Sequence, residues 1–129
     1  MKDQITMTTN TDIIAPEMTT RHINTPAIPN LEAVKAKQKA TWESGDFGQI
    51  AHSIVPVAGD FMARQPLHRG ARVLDVACGT GNLGAVGGRR GCIVSGVDIA
   101  ANLIAQARTR AAGEKLTVDF QEGDAEALP

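Results

Sequence analysis

The chain has 129 residues, 43% hydrophobic and 21% charged, with a formal net charge of -1. This is an ordinary water-soluble composition with room for about one small domain. With one Trp, three Phe, no Tyr and no basic run, nothing supports nucleic-acid binding, and no apolar stretch is long enough for a membrane span. The N-terminus lacks the apolar core of a signal peptide, so a cytoplasmic location is the expectation.

Residues 1–29 are rich in Thr, Asn and Pro, with Pro16, Pro26 and Pro29 and no apolar periodicity, and read as a disordered tail. His22 in this tail has no second ligand at helical spacing, so no metal site is expected. Residues 30–66 read as N-terminal helices. Asn30 caps a helix through about Glu43, with Leu31, Val34, Gln38 and Trp42 on one face and Gly45 as the stop. Asp46 opens a second helical stretch in which Phe47, Ile50, Ile54, Ala58, Phe61 and Met62 recur at helical spacing, with a bend or break at Pro56. Both are expected to pack on a sheet. His52 reads as a helix-face residue, and His68 belongs to the loop before the first strand, away from the expected chemistry.

Residues 67–129 alternate strand and helix. Val73, Leu74, Val76 and Ala77 form an apolar run, as do Ile93, Val94 and Val97, the pattern of parallel strands covered on both faces. Between them, Cys78, Gly79, Thr80 and Gly81 form a loop whose glycines let the backbone approach a ligand while the following helix points free N–H groups into the same space. Asp98 falls 19 positions after Gly79, where a carboxylate accepts hydrogen bonds from ribose hydroxyls. Asp75 interrupts the first strand, and a carboxylate buried there costs several kcal/mol unless a cationic ligand group or loop N–H donors answer it. The helix from Asn82 to Arg90 contains Gly84, Gly87 and Gly88, each costing roughly 1 kcal/mol relative to alanine, so a frayed helix is predicted. A second crossover helix runs from Ala100 to about Ala112, terminated by Gly113; Leu116, Val118 and Phe120 alternate as a third strand before the acidic tail of Glu122, Asp124 and Glu126. Cys78 and Cys92 lie at opposite ends of neighbouring strands, roughly 15 Å apart, which excludes a disulfide.

Gly79 to Gly84 satisfies the dinucleotide fingerprint GxGxxG, but the segment Val73-Leu74-Asp75-Val76-Ala77-Cys78-Gly79-Thr80-Gly81 resembles the first motif of class I S-adenosylmethionine-dependent methyltransferases. Gly96-Val97-Asp98-Ile99 is similar to the family's ribose-binding strand end, and Gln121 to Pro129 resembles the segment after the third strand that holds adenine. The likeness covers roughly Ala71 to Pro129, with a weaker echo in Trp42 to Phe47. It implies a Rossmann-like α/β fold, S-adenosyl-L-methionine as cofactor and a small-molecule methyl acceptor. It further implies that the backbone around Ala77, Gly79 and Gly81, aided by Asp75, holds the amino-acid end of the cofactor. Asp98 would take both ribose hydroxyls, Ile99 would pack on adenine, Asp124 would accept from the adenine amino group, and the Ala125 amide would reach a ring nitrogen. No catalytic residue is identified. Trp42 to Phe47 would form part of a lid over the cofactor, with simple core anchoring by Trp42 and Phe47 as the alternative.

Right-handed crossovers place the three parallel strands in the order 3-2-1, with the first strand at a bare edge. The chain therefore reads as the amino-terminal half of such a domain, stopping before the fourth strand, with self-association through that edge expected. A non-catalytic fragment and a dinucleotide-binding oxidoreductase fragment are the competing readings; the latter leaves Asp75 and Asp124 without a role.

Overall fold

The computed structural model describes residues 29–129, so nearly all of the predicted tail, His22 included, lies outside the described residues. Three parallel strands, β1 (Arg72–Val76), β2 (Ile93–Asp98) and β3 (Val118–Glu122), pair in the order β1-β2-β3, the predicted arrangement with β1 at an edge. The register sets Asp75 opposite Gly96 and Asp98 opposite Glu122. The crossovers are helices α4 (Asn82–Arg89) and α5 (Ala101–Gly113), and both pack on the sheet.

The glycines of α4 form a continuous helix, and packing is the reason. A Cβ at Gly84 would stand 2.8 Å from the Phe120 ring, one at Gly87 2.9 Å from Val94, and one at Gly88 2.9 Å from Val118. Each is too close for a methyl group, so the propensity lost in the helix is offset by the approach of α4 to the sheet. Phe120 is buried in a socket whose walls include Gly81, Gly84 and Gly96, and its burial contributes about 1.5–3 kcal/mol. Ile104, Ala107 and Ala111 of α5 and Cys78 complete this core. At the end of α5 the helix continues through Gly113, and Lys115 instead takes the left-handed turn, with φ of 55°.

The expected cover on both faces is corrected: among the described residues one face is open over β1 and the start of β2, with only Val97 buried there. Successive strand residues point to opposite sides, so Val73, Asp75, Val94, Gly96, Val118 and Phe120 share the face under α4 and α5. Leu74, Val76 and Ile93 share the other, and each is exposed.

The N-terminal helices also depart from expectation. Helix α1 (Leu31–Glu43) is capped by Asn30, whose side chain accepts from the Ala33 amide, but it buries no residue and does not lie on the sheet. Of its predicted apolar face, Leu31 and Val34 are turned to solvent while Trp42 lines a cavity, and Lys35 and Lys39 reach acids at and beyond the end of β3. Helices α2 (Phe47–Ser53) and α3 (Val55–Ala63) break at Ile54, which places Pro56 in the first turn of α3, where its missing N–H interrupts no helical bond. Helix α3 rests mainly on α4, with Ala58 and Met62 buried. No helix of the described residues is long and apolar enough to cross a membrane.

Candidate functional site

The chain leaves β1 through a loop that is left-handed at alternate residues: φ is 59° at Ala77, 53° at Gly79 and 76° at Gly81. Glycine adopts this freely, whereas at Ala77 it costs about 1–2 kcal/mol. The loop is held by its neighbours. The Cys78 amide donates to the Val97 carbonyl at 3.1 Å, and the Gly79 amide donates to Asp98 Oδ2 at 2.8 Å. Asp98 Oδ1 accepts from the Ala100 amide at 2.9 Å, so this buried carboxylate clamps the glycine loop to the entry of α5. Each oxygen still has capacity for one more donor.

Beside this clamp lies a cavity of about 300 Å³. Ala77 and Gly79 from the first loop, Asp98 and Ile99 from the end of β2, and Asp124 and Ala125 from beyond β3 line it, as do Trp42, Val97 and Leu103. Six predicted site residues therefore meet at one place. Trp42 is 42% exposed and stands edge-on to Phe47, ring centres 4.8 Å apart, so it is a wall of the cavity and not a core anchor.

The other two predicted residues sit elsewhere. Gly81 faces Phe120, where a Cβ has no room, and acts in the turn and its packing. Asp75 lines a neighbouring cavity of about 430 Å³ that shares Ala77 and Gly79 with the first. The residue is 9% exposed, and its Oδ2 is buried with no hydrogen-bond partner. Burial pushes the Asp75 carboxyl above its ordinary range, the Gly84 amide opposes this in part, and the charge of Asp98 adds to it. An unanswered buried carboxylate beside the glycine loop suits a ligand bearing a cationic group. Burial likewise pushes the Cys78 thiol up to about 12, so it stays neutral and unreactive. Both cysteines are buried and free.

Helix α1, whose Trp42 lines the first cavity, is tied to the rest of the chain through contacts that periodicity does not reveal. Lys35 Nζ lies 2.6 Å from Asp124 Oδ2 and 2.7 Å from Glu126 Oε2, while Lys39 pairs with Glu122. Hydrogen bonds to Asp124 and Glu126 hold the Lys35 ammonium above its usual pKa, and Lys35 together with the Glu126 amide holds Asp124 below the usual carboxylate range. Glu43 Oε1 accepts from the Ala101 amide at 3.1 Å, capping an α5 N-terminus that has no side-chain cap of its own. The visible signal in the sequence was charge: Lys35 and Lys39 against Glu122, Asp124 and Glu126.

Comparison with known proteins agrees with this geometry. The methyltransferase domain family matches residues 73–129. An uncharacterized protein of Mycobacterium tuberculosis is 34% identical over 108 residues, covering 83% of this chain and 39% of the relative. The ubiquinone biosynthesis O-methyltransferase of Coxiella burnetii is 38% identical over 87 residues, covering 67% of this chain and 37% of the relative. The chain thus spans about two fifths of the length of these relatives. The fold is shared with Haemonchus contortus phosphoethanolamine N-methyltransferase 1, solved with phosphoethanolamine and S-adenosylhomocysteine: the TM-score is 0.63 at 20% identity, covering 75% of this chain and 23% of that one. Residues 73–129, the stretch that carries the three parallel strands, belong to the methyltransferase domain family.

Proposed function

We propose that the protein binds S-adenosylmethionine in the cavity between Trp42 and Asp98 and serves transfer of its methyl group to a small-molecule acceptor. The observation that carries this is the meeting of Asp98 and Asp124, from two different strand ends, on one cavity beside the glycine loop. Asp98 accepts from both ribose hydroxyls with the capacity its two backbone amides leave free. Ile99 packs on adenine; Asp124 accepts from the adenine amino group, with the Ala125 amide at a ring nitrogen. The backbone of Ala77, Gly79 and Gly81 carries the amino-acid end, and Asp75 answers its ammonium. Bound cofactor supplies a methyl already activated on a sulfonium, so the chain's work is to position, to orient and to exclude water. Trp42, held over the cavity by the lysines of α1, performs the last task. The Coxiella relative makes an oxygen nucleophile the first acceptor class to try.

Calorimetric titration with S-adenosylhomocysteine and with NAD tests the assignment. S-adenosylhomocysteine is expected to bind and NAD not, and Asp98→Ala to weaken binding by about tenfold or more, the loss of a charge-assisted pair of bonds. Equal affinity for the two nucleotides, or affinity unmoved by Asp98→Ala, overturns it.

A further inference from the structure

The glycine loop has two ends, and Asp98 secures one of them. The entry is tied to β2, through the Cys78 amide on the Val97 carbonyl and the Gly79 amide on Asp98. The exit is Gly81, the N-cap of α4, which has φ of 76° and no side chain to cap the helix. Phe120 stops this exit from sinking toward the sheet, since it fills the space beneath Gly81 and Gly84. The next residue, Asn82, fixes it sideways. Its Nδ2 donates to the Ala51 carbonyl of α2 at 2.7 Å, and its Oδ1 accepts from Arg110 Nη1 of α5 at 2.6 Å.

Arg110 is itself held. Its Nε donates to Glu114 Oε1 at 3.1 Å, and Glu114 also pairs with Arg89 at the far end of α4. Both ends of α4 are thus bound to one turn of α5, at Arg110 and Glu114. The guanidinium fork reaches two acceptors at once, through charge-assisted bonds stronger than neutral ones. The bonds from Arg110 and Arg89 hold the Glu114 carboxyl below its ordinary range, so the anion that steadies Arg110 stays ionised at neutral pH and below. We infer that Arg110 is a positioning residue for the glycine loop: through Asn82 it sets where the loop ends, and with it the backbone that receives the amino-acid end of the cofactor. The last clause rests on the cofactor reading above. The anchoring of the loop rests on the hydrogen bonds alone.

The test compares S-adenosylhomocysteine with 5′-methylthioadenosine, which keeps the adenosyl part and lacks the amino-acid end. Calorimetry on the full chain is expected to show that Arg110→Met weakens S-adenosylhomocysteine at least fivefold and methylthioadenosine less than twofold. Arg110→Lys, which keeps the charge and loses the fork, is expected to fall between. Asn82→Ala combined with Arg110→Met is expected to be no weaker than the worse single variant, because both break one chain of contacts. Met62→Val, a core change on α3, is the control for lost stability and is expected to leave the ratio of the two affinities unmoved. Equal weakening of both nucleosides by Arg110→Met, an unchanged ratio, or additive effects in the double variant overturns the inference. The ligand-free chain tests the anchoring by itself: the NMR amide signals of Thr80 and Gly81 are expected to shift in Arg110→Met and to stay in place in Met62→Val, and signals unmoved by Arg110→Met overturn it. Failure of both nucleosides to bind the wild type sinks the cofactor reading alone, because those signals are read without ligand.

Discussion

Asp75 is the residue at which stability and ligand binding oppose each other, and Asp75→Asn separates them. The wild-type carboxylate is buried, with Oδ2 unpartnered, and burial raises its pKa above the ordinary value. A carboxyl with a raised folded-state pKa binds its proton more tightly when folded. The penalty is therefore absent below the unfolded value of about 3.9, grows as pH rises through the window up to the folded value, and is constant above it. An unsatisfied buried polar group costs about 1–3 kcal/mol, more when charged. Asparagine keeps the shape and one acceptor oxygen for the Gly84 amide, but leaves a neutral NH2 group where Oδ2 was, so part of the cost remains. The net expectation is that Asp75→Asn stabilises by about 1–2 kcal/mol at pH 7 and by nothing at pH 3. With a urea m-value of about 1–2 kcal/mol/M for a chain of this size, the midpoint rises by roughly 1 M at pH 7. S-adenosylhomocysteine affinity is expected to fall by about tenfold in the same variant, since its ammonium loses a charged partner. Urea titrations by circular dichroism from pH 3 to 8, with calorimetry at pH 7, read both. Parallel stability curves for the two proteins across that range, or a variant less stable at pH 7, would refute the reasoning.

Two further outcomes test the lid and the glycine socket. Lys35→Met with Lys39→Met is expected to increase acrylamide quenching of Trp42 and to abolish its dependence on salt, whereas in the wild type added salt loosens the Lys35–Asp124 pair and raises quenching; salt-independent quenching in the wild type would show that the lysines do not hold α1. Gly59→Ala, in open space on α3, is expected to stabilise by about 0.5–1 kcal/mol, while Gly84→Ala, with its Cβ 2.8 Å from Phe120, is expected to destabilise by about 1–2 kcal/mol net of the propensity gain. Thermal melts that shift both variants upward would show that the Phe120 socket has slack.

The strands and the Asn30 cap were legible because the signals are local: apolar runs, a glycine loop, a side chain able to bond the third amide of its own helix. What periodicity cannot supply is the partner. The stripe of Leu31, Val34 and Trp42 identified α1 as a helix, but of the three only Trp42 faces a cavity, because acids at and beyond the end of β3 attract Lys35 and Lys39 from more than eighty residues away in sequence. The apolar run of β1 promised two covered faces and received one. Gly84, Gly87 and Gly88 looked like weakness because propensity is written in the helix itself, whereas their reason lies in Phe120, Val94 and Val118 across the interface. Of the candidate site, the residues that line the first cavity were readable from motif spacing; the position of Asp75 in the second cavity and the clamp of Asp98 on Gly79 and Ala100 were not, since both depend on how the loop turns.

The register explains how acids so far apart in sequence come to one rim of the sheet. Asp75 is paired with Gly96, and Asp98 lies two residues further along β2; Asp98 is paired with Glu122, and Asp124 lies two residues further along the chain. Strand side chains repeat every second residue, so steps of two keep Asp75 and Asp98 on the helix-covered face and carry Asp124 just past the end of β3. Each step advances roughly 7 Å along the strand while crossing to a neighbour roughly 5 Å away, so the acids climb diagonally across the carboxyl rim from the second cavity to the first. A slip of one residue between β1 and β2 would turn Asp98 onto the bare face with Leu74 and Val76 and release the Gly79 amide at the same time. The glycine loop and Asp98 are therefore coupled through strand register, and a slip would also unseat Phe120 from its close approach to Gly96 in β2 and Gly84 in α4.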